Sequence, residues 1–135
     1  MARSGADPSD REMEVMSVLW SRGSGTVAEV QEALGALGVP DLAYNTVLTY
    51  LRSLRAKGWV RAEDEGRAHR FHPAVSREAA RGGALRRLTD LMYEGSRELL
   101  LTQLVSDRRL SVKTLARLRR LLDERLKKGQ GEGKP

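Results

Sequence analysis

Residues 42–73 read LAYNTVLTYLRSLRAKGWVRAEDEGRAHRFHP, and this stretch decides the fold. The apolar residues of its first half recur at i, i+3, i+4 and i+7, which is the spacing of one face of a helix: Val47, Tyr50, Leu51 and Leu54. Lys57-Gly58 is typical of a helix C-terminus. Beyond it, Trp59–Arg61 and Arg67–Phe71, joined through Asp64-Glu65-Gly66, predict a short β-hairpin with glycine at the turn.

The opposite face of this helix is polar. It carries Asn45, Thr49 and Arg52, with Thr46 and Ser53 at its edges. A buried helix seldom needs five hydrogen-bonding side chains on its outer face. A helix in the DNA major groove does, because side chains of this kind read the base edges. A helix followed by a basic hairpin indicates a winged helix-turn-helix, whose third helix is the recognition helix.

Two capping boxes upstream predict the two preceding helices. Ser9 with Glu12 begins the first, which stops at Gly23, and Thr26 with Glu29 begins the second, which runs to Gly38. The free N-terminus of the second helix can hold a phosphate, but capping alone also explains Thr26. The predicted DNA contacts are therefore Tyr44, Asn45, Thr46, Thr49 and Arg52 on the recognition helix, Arg67, His69 and Arg70 on the hairpin, and Thr26.

The C-terminal half predicts three further helices. They begin near Ser76, Ser96 and Ser111, and each carries a one-sided leucine stripe. Such stripes need a partner surface, and a second copy of the chain supplies one under two-fold symmetry. Packing back onto the winged domain is the alternative. The predicted dimerisation residues are Leu85, Leu88, Leu91, Met92, Leu99, Leu100, Leu104, Leu115, Leu118 and Leu122.

The predicted fold class is mainly α with a small β-hairpin wing. Residues 1–8 are predicted to be a disordered N-terminus, and residues 9–75 a winged helix-turn-helix DNA-binding domain. Residues 76–127 are predicted to be a three-helix dimerisation region, and residues 128–135 a flexible tail.

Composition limits the classes of partner and chemistry. The net charge is +6 and the isoelectric point is about 10.2, which is consistent with an anionic partner. No cysteine is present, so disulfides, thiolate zinc sites and cysteine nucleophiles are excluded. His69 and His72 alone make a poor metal site. We predict no cofactor, no metal and no catalytic residues, because no nucleophile–base pair or phosphate-binding loop is visible.

The N-terminus lacks the apolar segment of a signal peptide, and no apolar run approaches the roughly 20 residues of a membrane span. The prediction is a cytoplasmic protein without membrane insertion.

Several ordered motifs together resemble one family. They are E-x-x-V-M-x-x-L-W at Glu12–Trp20, T-V-x-E-V at Thr26–Val30, L-A-Y-x-T-V-x-T-x-L at Leu42–Leu51, and G-R-x-x-x-F-x-P at Gly66–Pro73. From about Ser9 to Leu126, the chain resembles the penicillinase repressor family of the BlaI/MecI type.

The resemblance implies a dimeric, sequence-specific transcriptional repressor that occupies a two-fold symmetric operator. It also implies control of β-lactam resistance or cell-envelope stress genes, and derepression when a membrane-bound sensor protease pathway cleaves the tail. The family's helix-three contacts fall on Asn45, Thr46 and Thr49. An arginine common near the end of that helix is Ser53 here, with Arg52 one residue earlier. The candidate cleavage position reads Gln103-Leu104 in place of Asn-Phe, which argues against that protease.

Two other functions are compatible with the sequence. A winged helix can be a protein-interaction module, although the polar recognition face argues against that use. A ligand-responsive regulator without proteolytic derepression is the second, and the few aromatic residues argue against a large pocket.

Overall fold

The computed structural model describes residues 7–39, 41–66 and 68–131. Most of the predicted disordered N-terminus and the hairpin residue Arg67 therefore lie outside the described residues. The structure is mainly α-helical with one two-stranded antiparallel hairpin, which confirms the predicted fold class. The elements in order are α1 (Asp10–Arg22), α2 (Val27–Ala36), α3 (Tyr44–Ala56), β1 (Val60–Glu65), β2 (Ala68–Pro73), α4 (Arg77–Met92), α5 (Arg97–Val105) and α6 (Val112–Gly131).

The chain forms two compact units. The first ends at Gly83 and the second begins at Ala84, so the division falls within α4. The first unit extends beyond the boundary predicted after Val75 because Ala80, in the first turn of α4, is buried in the same core as α1, α2 and α3. In addition, the Trp20 indole N–H donates to the Val75 carbonyl over 2.8 Å.

The core of the first unit is built from the predicted apolar faces. Both predicted capping boxes are present, and each fixes the helix start from which these faces follow. The fully buried side chains of α1, α2 and α3 are Val15, Met16, Leu19, Val30, Leu34, Val47, Leu51 and Leu54. Burial of this kind contributes about 1.5–3 kcal/mol per large aliphatic side chain. The packing of α1, α2 and α3 is therefore stabilised mainly by their apolar faces.

The C-terminus of α3 explains the abrupt change from helix to hairpin. Gly58 has φ +83°, a left-handed conformation that costs glycine little. The Gly58 N–H donates to the Arg55 carbonyl, and the Trp59 N–H donates to the Leu54 carbonyl over 2.9 Å. This Schellman arrangement satisfies the last carbonyls of the helix and turns the chain directly into β1.

The hairpin is longer than predicted. Val60 pairs with Pro73 and Glu65 with Ala68, so Asp64 and Glu65 belong to β1 and not to the turn. The predicted turn glycine, Gly66, has φ +62°. Because the pairing reaches Glu65, Gly66 follows β1 directly, and a tight hairpin turn favours glycine in a left-handed conformation.

A third strand-like contact was not predicted from the sequence. Gly25, between α1 and α2, pairs with Phe71 through two backbone hydrogen bonds of 2.8 and 3.0 Å. An added Cβ on Gly25 would lie 3.2 Å from Val30 Cγ2, which is tighter than an ordinary contact. This backbone pairing, with the buried ring of Phe71, anchors the base of the hairpin to the helices.

The second unit contains the rest of α4, with α5 and α6. The Ser96 hydroxyl caps α5 as predicted, accepting from the Leu99 N–H. The sequence predicted a frayed tail from residue 128, but α6 continues to Gly131. Lysines favour helix, and Gly129 keeps a helical backbone at a cost of about 1 kcal/mol, so no residue ends the helix earlier.

Within the described ranges, no helix is long and apolar enough to cross a membrane.

Candidate nucleic-acid interface

The two faces of α3 differ as the sequence predicted. Val47, Leu51 and Leu54 are buried, whereas the side chains of Asn45, Thr49 and Arg52 are exposed. The half-buried Thr46 and Ser53 lie at the edges. The helix therefore presents a row of polar side chains to solvent while its other face is fixed in the core.

The Thr49 hydroxyl has a defined role within this row. It donates to the Asn45 carbonyl over 2.9 Å. Because its hydrogen is committed, the oxygen presents only acceptor lone pairs to a ligand. An acceptor at this position suits the amino groups of cytosine or adenine in the major groove.

A buried carboxylate fixes the other end of α3. Glu12 is 6% exposed, and its Oε1 accepts from the Lys57 ammonium over 2.7 Å and from the Ser9 N–H over 2.9 Å. Burial raises the pKa of Glu12, but hydrogen bonds from Lys57, Ser53 and Ser9 lower it more, so the net pKa lies below its ordinary value. Ser53 was predicted to lie at the edge of the polar face. In the structure, its side chain hydrogen-bonds to Glu12.

A cleft of about 220 Å³ opens between α3, the first turn of α2 and the hairpin. It brings together four of the predicted DNA-contacting residues, namely Thr26, Tyr44, Arg52 and His69. The cleft is also lined by Leu48, Ala68, Val27 and Ala28, and by the buried ring of Phe71. Asn45, Thr46 and Thr49 are not among the described residues that line this cleft.

The start of α2 is occupied by its own caps. The Thr26 hydroxyl accepts from the Glu29 N–H, and the Glu29 carboxylate accepts from the Thr26 N–H over 3.0 Å. Glu29 also accepts from Arg70 on β2 at 3.0 Å and lies 3.3 Å from Arg22. The Thr26 amide, followed by Arg70, holds the pKa of Glu29 below its usual value.

The two histidines of the hairpin have separate carboxylate partners. His69 Nδ1 lies 2.7 Å from Asp64 Oδ1 on the opposite strand, and His72 Nε2 lies 2.8 Å from Glu63 Oε1. In the described part of the chain, no group of three histidine, aspartate or glutamate side chains is placed to hold a metal ion. His69 remains half exposed at the mouth of the cleft.

Three residues position the interface in a way that was not predicted from the sequence. Gly25 pairs with the hairpin, while Ser24 and Glu29 both accept from Arg70. The signal available was Ser-Gly-Thr between two capped helices, a segment too short for any periodicity.

The second unit carries the large exposed apolar surface of the chain. Among the described residues, all strongly exposed large hydrophobic side chains except Leu37 and Tyr44 lie in residues 85–126. Of the predicted dimerisation residues, Leu91 and Met92 are about 70% exposed, whereas Leu100 is already buried within one chain. Leu85, Leu100, Leu101 and Leu104 line an apolar groove of about 250 Å³ with Arg97.

The candidate cleavage position lies inside a helix. Gln103 and Leu104 belong to α5, and the Gln103 side chain accepts a hydrogen bond from the Tyr93 hydroxyl over 3.0 Å. Proteases favour exposed, mobile loops. Cleavage at this bond therefore requires α5 to open first.

A three-helix core, a hairpin anchored beside it, and a polar third helix define a winged helix-turn-helix DNA-binding protein. The model of the penicillinase repressor family matches residues 8–124. The transcriptional regulator BlaI of Mycobacterium tuberculosis strain H37Rv is 39% identical over 128 residues, which cover 93% of this chain and 89% of that protein. The chain belongs to the penicillinase repressor family, and it is a transcriptional repressor rather than an enzyme.

Two solved structures are similar to parts of this chain. The solution structure of the DNA-binding domain of the repressor BlaI is 31% identical, covers 53% of this chain and 84% of that domain, and has a TM-score of 0.46. A complex structure of hsRosR-S4 is 17% identical, covers 79% of this chain and 95% of its own, and has a TM-score of 0.51.

Proposed function

We propose that the protein represses transcription as a homodimer bound to a two-fold symmetric DNA operator. The observation that carries this proposal is the polar, exposed face of α3 beside a cleft that also contains hairpin and α2 residues. In this arrangement, the two recognition helices enter successive major grooves, about 34–36 Å apart on one face of the duplex. The protein acts in the cytoplasm, where it competes with the transcription machinery for the promoter.

Within each subunit, the contacts divide into two kinds. Asn45, Thr46 and Thr49 read base edges, while Arg52, Arg67 and His69 contact the phosphate backbone or the minor groove. Tyr44 stacks on or hydrogen-bonds to the DNA beside the cleft. Thr26 brings the start of α2 close to the phosphate backbone, although its own amide and hydroxyl are bound by Glu29. Leu48 contributes an apolar contact to a thymine methyl group.

Dimerisation is supported by the exposed leucines of the second unit. Many large hydrophobic side chains of this unit are strongly exposed, and large exposed apolar patches commonly mark an interaction site. A second copy covers the same stripe twice, and each half-site is then bound at a high effective concentration. Residues of this interface are Leu85, Leu88, Leu91, Met92, Leu99, Leu104, Leu115, Leu118 and Leu122, with Leu100 supporting them from inside the unit.

The proposed route of derepression is loss of the dimer. If a sensor protease pathway acts on this chain, α5 must unfold locally before Gln103-Leu104 becomes accessible. The regulated genes in this scheme are those for β-lactam resistance or the cell envelope.

The test is selection of a duplex from a random pool with the full-length protein, followed by fluorescence anisotropy over a salt series. We expect an inverted-repeat sequence, binding by two subunits, and a steep linear fall of log affinity with log salt. Equal binding to the selected duplex and to its scrambled version would contradict sequence-specific repression. It would favour the use of the same face for a protein partner.

A further inference from the structure

Arg70 was predicted to contact DNA, but its guanidinium is engaged inside the protein. Its Nη1 donates to Glu29 Oε1 over 3.0 Å and to the Ser24 hydroxyl over 3.2 Å. Its Nη2 donates to Glu29 Oε2 over 3.5 Å. The planar fork of the guanidinium thus meets both oxygens of one carboxylate, a geometry that lysine cannot reproduce.

The carboxylate that receives Arg70 is itself held in place. Glu29 accepts from the Thr26 N–H over 3.0 Å and lies 3.3 Å from Arg22, so α2 and the end of α1 both fix its orientation. Residue 71, next to Arg70, carries the backbone pairing with Gly25. The ion pair and this backbone pairing are neighbours on β2, and together they join the hairpin to the α1–α2 link.

Arg70 and Glu29 lie next to residues that line the cleft between α2, α3 and the hairpin. Thr26, Val27 and Ala28 line it from the start of α2, and Ala68 and His69 line it from the hairpin. Neither Arg70 nor Glu29 is among the described lining residues, although each lies next in the chain to a lining residue. The pair therefore joins α2 to the hairpin, the two elements that carry these lining residues, without lining the cleft itself.

We propose that Arg70 is a positioning residue, which binds Glu29 to fix the hairpin against α2 and does not itself contact DNA. This proposal rests on the proposed function, since it assigns a role within the same DNA interface. The clamp sets the separation between the hairpin contacts and the α2 and α3 contacts, so the duplex can engage all three at once.

The test is a double-mutant cycle in the full-length protein on the selected duplex. The variants are Arg70→Gln, Glu29→Gln and the double variant, measured by anisotropy at a temperature where circular dichroism shows each to be folded. We expect each single variant to weaken binding about three- to tenfold, and the double variant to be no weaker than either single one. The slope of log affinity against log salt should not change.

A direct phosphate contact predicts the opposite pattern. Loss of Arg70 would then lower the salt slope by about 0.9, and Glu29→Gln would leave binding unchanged or tighten it by removing a negative charge. Arg70→Lys separates the two as well. Lysine still serves a phosphate as a point charge, so near-normal affinity in Arg70→Lys would overturn the clamp.

Arg61→Gln is the matched control, because Arg61 is exposed on the paired strand and carries the same charge. We expect no coupling between Arg61 and Glu29. Hydroxyl-radical footprinting adds a positional readout: Arg70→Gln should lose the protection given by the hairpin while retaining that given by α3. If the wild-type protein does not prefer the selected duplex over its scrambled version, that result contradicts the proposed function. It would then say nothing against the Arg70–Glu29 contact itself.

Discussion

The buried ion pair of Glu12 with Lys57 makes the stability of the fold depend on pH. Its carboxylate is buried and bonded to Lys57, and its pKa in the folded protein lies below the unfolded value of about 4.3. The stability that it contributes is therefore fully present above the unfolded pKa. It is lost as the pH falls through the folded pKa, because both states are then protonated.

We expect Glu12→Gln to lower the free energy of unfolding at pH 7 by about 1–3 kcal/mol, since Lys57 loses its charged partner. The difference from the wild type should shrink as the pH falls below about 4. Urea denaturation at pH 7 and pH 3 measures both quantities. Glu14→Gln is the control on the same helix: its ion pair with Arg11 is exposed, so its effect should stay below about 1 kcal/mol. A constant difference across this pH range would contradict the assignment.

Thr49 offers the sharpest test of base reading. Its hydroxyl donates to the Asn45 carbonyl and leaves only acceptor capacity outward. Thr49→Val should weaken binding to the selected duplex by about 1–3 kcal/mol and relax the preference at one base pair, because a base amino group loses its acceptor. Thr49→Ser keeps the hydroxyl and should retain that preference in repeated selection. An unchanged selected sequence with valine would remove Thr49 from base readout.

At the scale of elements, glycine has opposite roles in α4 and in the hairpin. Gly82 lies in a helix with no heavy atom within 4 Å of an added Cβ, whereas Gly66 has φ +62°. Gly82→Ala should raise the free energy of unfolding by about 0.5–1 kcal/mol, because alanine loses less backbone entropy in a helix. Gly66→Ala should lower it by a similar amount, because a Cβ disfavours positive φ. Thermal unfolding measures both, and the same sign for the two would contradict this reasoning.

The helix ends were easier to predict from the sequence than the hairpin register or the length of α6. Capping at Ser9, Thr26 and Ser96, and the Gly58 stop, rest on local hydrogen bonds between neighbouring residues, so they were predicted correctly. The hairpin register was only partly predictable, because pairing out to Glu65 and Ala68 depends on both strands together. The length of α6 was underestimated because a run of lysines and glycines carries no apolar signal.

The site was less predictable than the fold for a related reason. The polar face of α3 followed from helical periodicity alone. The engagement of Arg70 by Glu29 joins residues far apart in the chain, and nothing in either local segment indicates that they meet. An arginine on a basic hairpin resembles a phosphate contact in sequence whether or not a carboxylate already binds it.

At the scale of the whole molecule, the proposed repressor depends on the second unit for affinity rather than for the fold of the first. Leu122 on α6 is 53% exposed. Leu122→Glu should convert the dimer to a monomer in analytical ultracentrifugation, because a carboxylate would be buried at the interface without a partner. Operator affinity should fall at least about a hundredfold as the effective concentration of the second half-site is lost.

Asp123→Glu introduces the same side chain at the next, exposed position and should leave both properties unchanged. The near-ultraviolet circular dichroism signal of Trp20 and Trp59 should be the same in both variants as in the wild type. A Leu122→Glu protein that stays dimeric would place the interface elsewhere on the second unit.

The backbone pairing of Gly25 with Phe71 has a consequence for how such proteins diversify. Main-chain hydrogen bonds are largely indifferent to side-chain identity, so the hairpin keeps its place while the residues at its tip change. Exposed positions of the hairpin such as Asp64 and His69 are thus open to substitution without disturbing the core that Phe71 completes. Related proteins that keep this backbone pairing can bind a new operator through changes at the hairpin tip and on the outer face of α3, while the buried core stays the same.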